Sequence, residues 1–211
     1  MRIAAIAILY VLAARAGLQL DAISGFATLV WPPTGIALAA LLLGGYGLWP
    51  GVFLGAVVAN ILTGAPLLVA VGIGVGNTLE AVFGAYALRR IPGLRVSLDR
   101  VPDATALIFL SAALSPIIAA TIGVTSLYLG GVVARDALAA TWRAWWLGDA
   151  IGAVLVAPMV LVWATRPAGI PPARRLMEAI GLTLAVIVAC LLIFVVPATR
   201  NYVPFNQAYV F

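Results

Sequence analysis

The sequence predicts an all-α protein, a polytopic bundle of transmembrane helices. Three observations predict it. Of 211 residues, 64% are hydrophobic and only 9% are charged, with a mean hydropathy of +1.16. A soluble domain is typically about 45–50% apolar and about 25% charged. The apolar residues also gather in runs of roughly 20, the length a helix needs to cross a hydrocarbon core of about 30 Å. Finally, most of the arginines fall between those runs or at their ends. An ordinary soluble domain and a disordered chain are thereby excluded.

Seven spans follow, at roughly 3–20, 26–45, 48–64, 67–88, 104–130, 139–164 and 176–197. The first, with Arg2 before it and Ala14-Arg15-Ala16 near its end, imitates a secretory signal. With six spans behind it, an uncleaved anchor is the simpler reading. The second span is short and broken. In Trp31-Pro32-Pro33-Thr34-Gly35, proline suits a first helical turn, and Pro33 blocks continuation from the residues before it. The expectation is an extended or re-entrant entry, then a short helix from Pro33 to about Gly45. The third span is short as well, and in the fifth Ser115-Pro116 predicts a kink. With the N-terminus in the cytoplasm, that side holds Arg2, Arg89, Arg90, Arg95, Arg100, Arg166, Arg174 and Arg175. The outer side keeps Arg15, Arg135, Arg143 and Arg200. This eight-to-four split of the twelve obeys the positive-inside rule.

The linkers 89–103 and 165–175 are too short to hold a domain, so residues 1–211 form one integral membrane domain. Gly55-Ala56-Val57 recurs at Gly152-Ala153-Val154, and Ile73-Gly74-Val75 at Ile122-Gly123-Val124, but the order is reversed and no duplication aligns. After the seventh span an apolar run begins at Ala208. An eighth helix is expected beyond Phe211, returning the chain to the cytoplasm. The bundle is thus read as about seven helices of an expected eight.

Composition also removes chemistry. All 12 basic residues are arginine, and there is no histidine. Without lysine there is no retinal-type Schiff base; without histidine there is no His-ligated haem, zinc or copper. The single Cys190 excludes an intramolecular disulfide and an iron–sulfur cluster and is read as a packing residue. No cofactor, no metal and no nucleic-acid partner is expected.

Ionisable groups inside a membrane are costly, so they mark the places to search for function. Glu80 lies in the middle of the fourth span, with Asn77 three residues earlier on the same helix face. Gly76 and Gly84 flank it at four-residue spacing and let another helix approach. The pair is read either as a binding or proton-linked site or as a polar clamp between helices. In the sixth span Trp142, Trp145, Trp146 and Asp149 fall at i, i+3, i+4 and i+7, predicting one stripe, with Arg143 beside it. Aromatic walls with an acid at their base suit a cation or an amphipathic ligand. An interfacial aromatic belt also explains the outer tryptophans, but not the deeper Asp149. The helix start at Trp31, Pro32, Pro33 and Thr34 is read as an anion-attracting end or as a simple proline kink. Asn60 is expected to bond across helices. Ser115, beside Pro116, with Thr121 and Thr125, marks the kink of the fifth span and a candidate hinge.

Taken in order, these motifs are Trp31-Pro32-Pro33-Thr34-Gly35-Ile36-Ala37, Leu48-Trp49-Pro50-Gly51 with Asn60, and Gly76-Asn77-Thr78-Leu79-Glu80-Ala81. Leu114-Ser115-Pro116, Thr121-Ile122-Gly123-Val124-Thr125, and Trp145-Trp146-Leu147-Gly148-Asp149 with Ala157-Pro158 follow. From about residue 10 to the C-terminus, the chain resembles the type 1 membrane-associated sensor (MASE) domain family. The resemblance implies an N-terminal, eight-helix sensor in the bacterial inner membrane. Such sensors are fused to a cytoplasmic histidine kinase, diguanylate cyclase or phosphodiesterase, often through a PAS domain. It therefore implies two-component or cyclic-di-GMP signalling, and a homodimer, because those outputs work in pairs. It does not name a stimulus.

The expected function is therefore a non-catalytic sensory domain embedded in the lipid bilayer. A small-molecule or membrane-borne stimulus would act in a cavity lined by Trp31, Asn77, Glu80 and Asp149. An output domain in cis, or a partner protein, would read it. One rival is a small-solute transporter or vitamin-binding membrane subunit, which intramembrane acids and a broken helix would suit. An intramembrane enzyme using Glu80 and Asp149 as acid and base lacks a nucleophile with an evident base.

Overall fold

The computed structural model describes residues 1–18, 22–23, 27–28, 30–165 and 177. The chain divides into two units, Met1–Arg166 and Pro167–Phe211. In the second only Met177 is described, and it is helical. Apart from Met177, the predicted span at 176–197 lies outside the described residues, as do Cys190, Arg166, Arg174, Arg175 and Arg200.

The first unit is built of helices. Among its described residues these are α1 (Arg2–Leu18), α2 (Pro32–Gly44), α3 (Tyr46–Leu62), α4 (Leu67–Arg89), α5 (Val101–Leu129) and α6 (Arg135–Thr165). They match the first six predicted spans to within a few residues, except that the second helix is only the latter part of its span. Before it stand β1 (Ala22–Ile23) and β2 (Ala27–Thr28), paired antiparallel with Ala22 opposite Thr28 and Ile23 opposite Ala27. Helices α4, α5 and α6 are each long and apolar enough to cross a membrane. With 13 residues, α2 rises only ~20 Å, short of a hydrocarbon core.

The local sequence explains where α2 begins. It starts at Pro32, one residue before the expected Pro33, with prolines at its first two positions. Neither has an N–H, so two of the four donors that a helix start leaves unpaired do not exist. The Thr34 N–H bonds the Trp31 carbonyl at 3.3 Å, and the Trp31 N–H donates to the Gly148 carbonyl of α6 at 2.9 Å. At the other end, the Arg89 guanidinium donates to the Leu41 and Leu42 carbonyls at 2.9 and 3.0 Å. It also stacks 5.0 Å from the Tyr46 ring centroid. A cation at a helix C-terminus satisfies orphan carbonyls and complements the dipole. Arg89→Ala should therefore cost about 1 kcal/mol, read as a lower thermal midpoint of the detergent-solubilised chain. An unchanged midpoint would show that the cap contributes nothing.

Two cores hold the unit together. One joins α1, α2, α3 and the latter half of α4 around Tyr10, Leu38, Leu41, Val52 and Leu88; the other joins α4, α5 and α6 around Ile73, Leu127 and Trp145. Helix α1 rides on the glycines of α3: a Cβ on Gly55 would stand 2.6 Å from the Tyr10 Cβ. Helix α2 meets α6 backbone to backbone. A Cβ on Gly35 would stand 2.5 Å from the Gly152 carbonyl oxygen, and one on Gly152 would overlap the Trp31 carbonyl.

In α5 a π-helical segment, Leu107–Leu114, leads up to Pro116. The Ser115 N–H bonds the Leu110 carbonyl, five residues back, at 3.2 Å. Proline lacks an N–H and crowds the carbonyl four residues before it; the wider π turn makes room. The linker after α4 is tied by ion pairs. Arg100 grips Asp103 with two bonds of 2.9 Å, and Arg95 pairs with Asp99 at 3.1 Å. The Ser97 hydroxyl, assisted by Arg95, holds the Asp99 carboxyl below the usual carboxylate range.

Candidate functional site

The acids sit deep in their helices. Glu80 lies nine residues before Arg89, so ~14 Å from that end of α4. Asp149 lies fourteen residues after Arg135, ~21 Å along α6. Both are enclosed: Glu80 is 1% exposed and Asp149 0%.

Four helices converge on them. From the first turn of α2, the Thr34 hydroxyl donates to Asp149 Oδ1 at 2.6 Å. From α4, Asn77 Nδ2 donates to the Tyr10 hydroxyl of α1 at 2.7 Å. Tyr10 lies within electrostatic reach of both Asp149 and Glu80, and beside the Trp31 indole. The two carboxyl groups lie within electrostatic reach of one another, and the Trp145 indole lies close to Asp149. Along α4 the cluster falls at the seam between the cores, after Ile73 of one and before Ala81 of the other.

The cluster is rich in acceptors and poor in charge balance. Among the described residues, Asn77 Oδ1, Glu80 Oε1 and Asp149 Oδ2 are buried without a hydrogen-bond partner, as is Trp31 Nε1. A buried polar group left unpaired costs about 1–3 kcal/mol, and an unpaired charge more. The eight arginines among the described residues are all exposed, and the sequence has neither lysine nor histidine. Among the described residues, then, no basic side chain is buried with the acids.

The structure brings Trp31, Thr34, Asn77, Glu80, Trp145 and Asp149 together, with Pro32 and Pro33 setting the helix start that aims Thr34. Other sequence candidates lie elsewhere. The expected stripe on α6 is two lines, since residues i and i+4 lie one above the other. Trp145 and Asp149 form the inner line. Trp142 and Trp146 form the other, with rings stacked at 6.5 Å and only 3° apart. Their indole N–H groups donate to α5, Trp142 to the Thr121 hydroxyl at 3.2 Å and Trp146 to the Ala113 carbonyl at 2.9 Å. Arg143 and Thr121 are exposed. Asn60 does not bond across helices as expected. Its amide folds back to the Ala56 carbonyl of its own helix at 2.9 Å, because that acceptor one turn back is within its reach. Ser115 likewise bonds the Ser111 carbonyl at 2.7 Å, and the Ser111 hydroxyl reaches Gly84, one turn along α4 from Glu80, at 3.4 Å.

Tyr10 is the site residue that the sequence reading missed. Its signal was there: a single phenol inside the apolar run from Ile3 to Leu12. A buried Tyr hydroxyl needs a partner, and Asn77 provides it.

Fold and site together define a helical domain, with three helices long and apolar enough to cross a membrane and a polar knot in its core. The MASE1 family model matches residues 1–210. The chain belongs to that family, a membrane-associated sensory domain of signalling proteins. No curated protein and no solved structure matches it.

Proposed function

We propose that this chain is the input domain of a bacterial signalling protein in the inner membrane, with its N-terminus in the cytoplasm. Its stimulus acts at the cluster of Tyr10, Thr34, Asn77, Glu80 and Asp149. One observation carries the reading: two acids and an amide, each with a buried oxygen unpartnered among the described residues, meet between α1, α2, α4 and α6. A purely structural bundle gains nothing from such a centre.

The mechanism follows from how α2 is held. Its start is tied to α6 by the Thr34 hydroxyl on Asp149 and by the Trp31 N–H on Gly148. A stimulus that competes for the Asp149 oxygens, or adds to them, changes the free energy of that seating. It shifts the balance between two packings by its difference in affinity for them. The chain after α6 carries the shift to a histidine kinase, diguanylate cyclase or phosphodiesterase, in cis or as a partner, that works as a homodimer. Catalysis belongs to that output.

The test is a fusion of the chain to a diguanylate cyclase, reading cyclic-di-GMP in cells. Asp149→Asn and Thr34→Val should each move output by about fivefold or more, the scale of an allosteric coupling. Trp142→Phe, away from the cluster, should not. Equal output from all three would overturn the reading. A half-length helix beside buried acids also suits a transporter; solute flux through liposomes holding the chain would favour that reading instead.

A further inference from the structure

Accepting the sensory reading for its consequence, we propose that the cluster is a binding site for a small monovalent metal cation of the sodium class. It is held by Glu80 and Asp149 together with the Asn77 side-chain carbonyl. The argument starts from which groups lack partners. Asn77, a residue 4% exposed, spends its amide N–H on Tyr10, which leaves Oδ1 as an acceptor unpartnered among the described residues. Glu80, three residues on and so on the same face of α4, leaves Oε1 in the same state. On α6, Asp149 receives Thr34 at Oδ1 and leaves Oδ2 unpaired.

Three orphan acceptors, two of them on carboxyl groups, need both bonds and positive charge. Among the described residues no buried arginine supplies that charge. A water molecule would supply bonds without charge. A proton supplies charge but bridges only two acceptors. A metal cation supplies both, and takes several oxygens at once.

The donor set selects the class. It is all oxygen: carboxylate, amide carbonyl and the hydroxyls of Thr34 and Tyr10. Hard cations take oxygen, whereas soft and borderline metals prefer thiolate and imidazole. Among the described residues no group of three or more His, Cys, Asp and Glu side chains gathers anywhere. Calcium takes six to eight oxygens and magnesium keeps several waters. With one proton shared between the two carboxyl groups a single negative charge remains; a singly charged cation balances it, and the handful of oxygens present falls short of the calcium number.

Protons compete for the same oxygens. The titratable groups that meet there are Tyr10 of α1, Glu80 of α4 and Asp149 of α6. Helix α2 presents Thr34 and Trp31, and the hydroxyls of Ser111 and Ser115 on α5 lie one turn of α4 away, beside Gly84. No arginine among the described residues joins them.

The experiment uses the whole chain in lipid nanodiscs and follows intrinsic tryptophan emission, since Trp31 and Trp145 border the site. Sodium chloride is titrated against choline chloride at constant ionic strength and fixed pH. A saturable change with sodium and none with choline is expected. Half-saturation should weaken about tenfold or more in Glu80→Gln, which removes a negative charge from the site, and in Asn77→Ala, which removes an oxygen ligand. Binding of radiolabelled sodium to the wild-type chain gives a second readout that does not depend on the variants folding. Indistinguishable curves in sodium and choline with no bound label overturn the proposal. So does a response to pH alone, which would make the proton the occupant, or a response to calcium or magnesium without sodium. Sodium binding that leaves the cyclase fusion's output unmoved would sustain the cation site and sink the sensory reading. Output that moves with Asp149→Asn in a chain that binds no sodium would do the reverse.

Discussion

Replacing Gly152 by valine should unseat α2 from α6 and lower stability more than any other change considered for this chain. A Cβ at Gly152 overlaps the Trp31 carbonyl, and Gly35 faces the Gly152 carbonyl at a distance that already excludes a side chain. The obstacle is backbone on both sides, so no rotamer change relieves it. Overpacking costs typically about 1–3 kcal/mol, occasionally more, and a rigid obstacle puts this substitution at the top of that range. The thermal midpoint of the purified chain in detergent should fall by about 6–12 °C. Gly152→Ala should fall less, and Val75→Leu, on the exposed face of α4, should match the wild type. A wild-type midpoint for Gly152→Val would mean that α2 does not lie against α6 at this point.

Removing the Tyr10 hydroxyl should be the next most costly change. Tyr10→Phe keeps the ring, which is 1% exposed, but leaves Asn77 Nδ2 without its acceptor. A buried donor left unpaired costs about 1–3 kcal/mol. Asn77→Leu removes that donor. The double variant, Tyr10→Phe with Asn77→Leu, should therefore recover much of the loss, with a coupling of about 1 kcal/mol or more. Midpoints measured for the four proteins give the coupling directly. Strict additivity would show that the 2.7 Å bond contributes nothing to the fold.

Much of this architecture was legible because membrane helices announce themselves. With no water to hydrogen-bond a spanning backbone, the chain must be helical wherever it crosses, so a run of apolar residues fixes both element and length. The broken second helix was legible for a local reason. Pro32 and Pro33 allow a helix to begin and forbid it to have begun earlier. The burial of Glu80 and Asp149 was legible too, because their cost in lipid sends them inward. Which neighbours they meet was not legible. Asn60 and Asn77 are both asparagines inside apolar helices, yet one folds back on Ala56 and the other reaches across to Tyr10. Nothing local separates them; the difference is whether a partner helix brings an acceptor within reach. The stripe of α6 failed similarly. Spacing put three tryptophans and an acid on one side of the helix, but α5 took Trp142 and Trp146 while Trp145 turned inward toward Asp149.

The sequence by itself determined that this is a helical membrane-associated domain of the MASE1 type, where its first six helices lie, and which acids are buried. These follow from the cost of burying charge and unpaired backbone, which each residue carries with it. Only the tertiary structure decided that α2 begins level with the middle of α6, that Thr34 lands on Asp149, and that Tyr10 completes the cluster. Those are meetings of residues 115 and 67 positions apart. They depend on how closely glycine-faced helices pack, and no single segment carries that information.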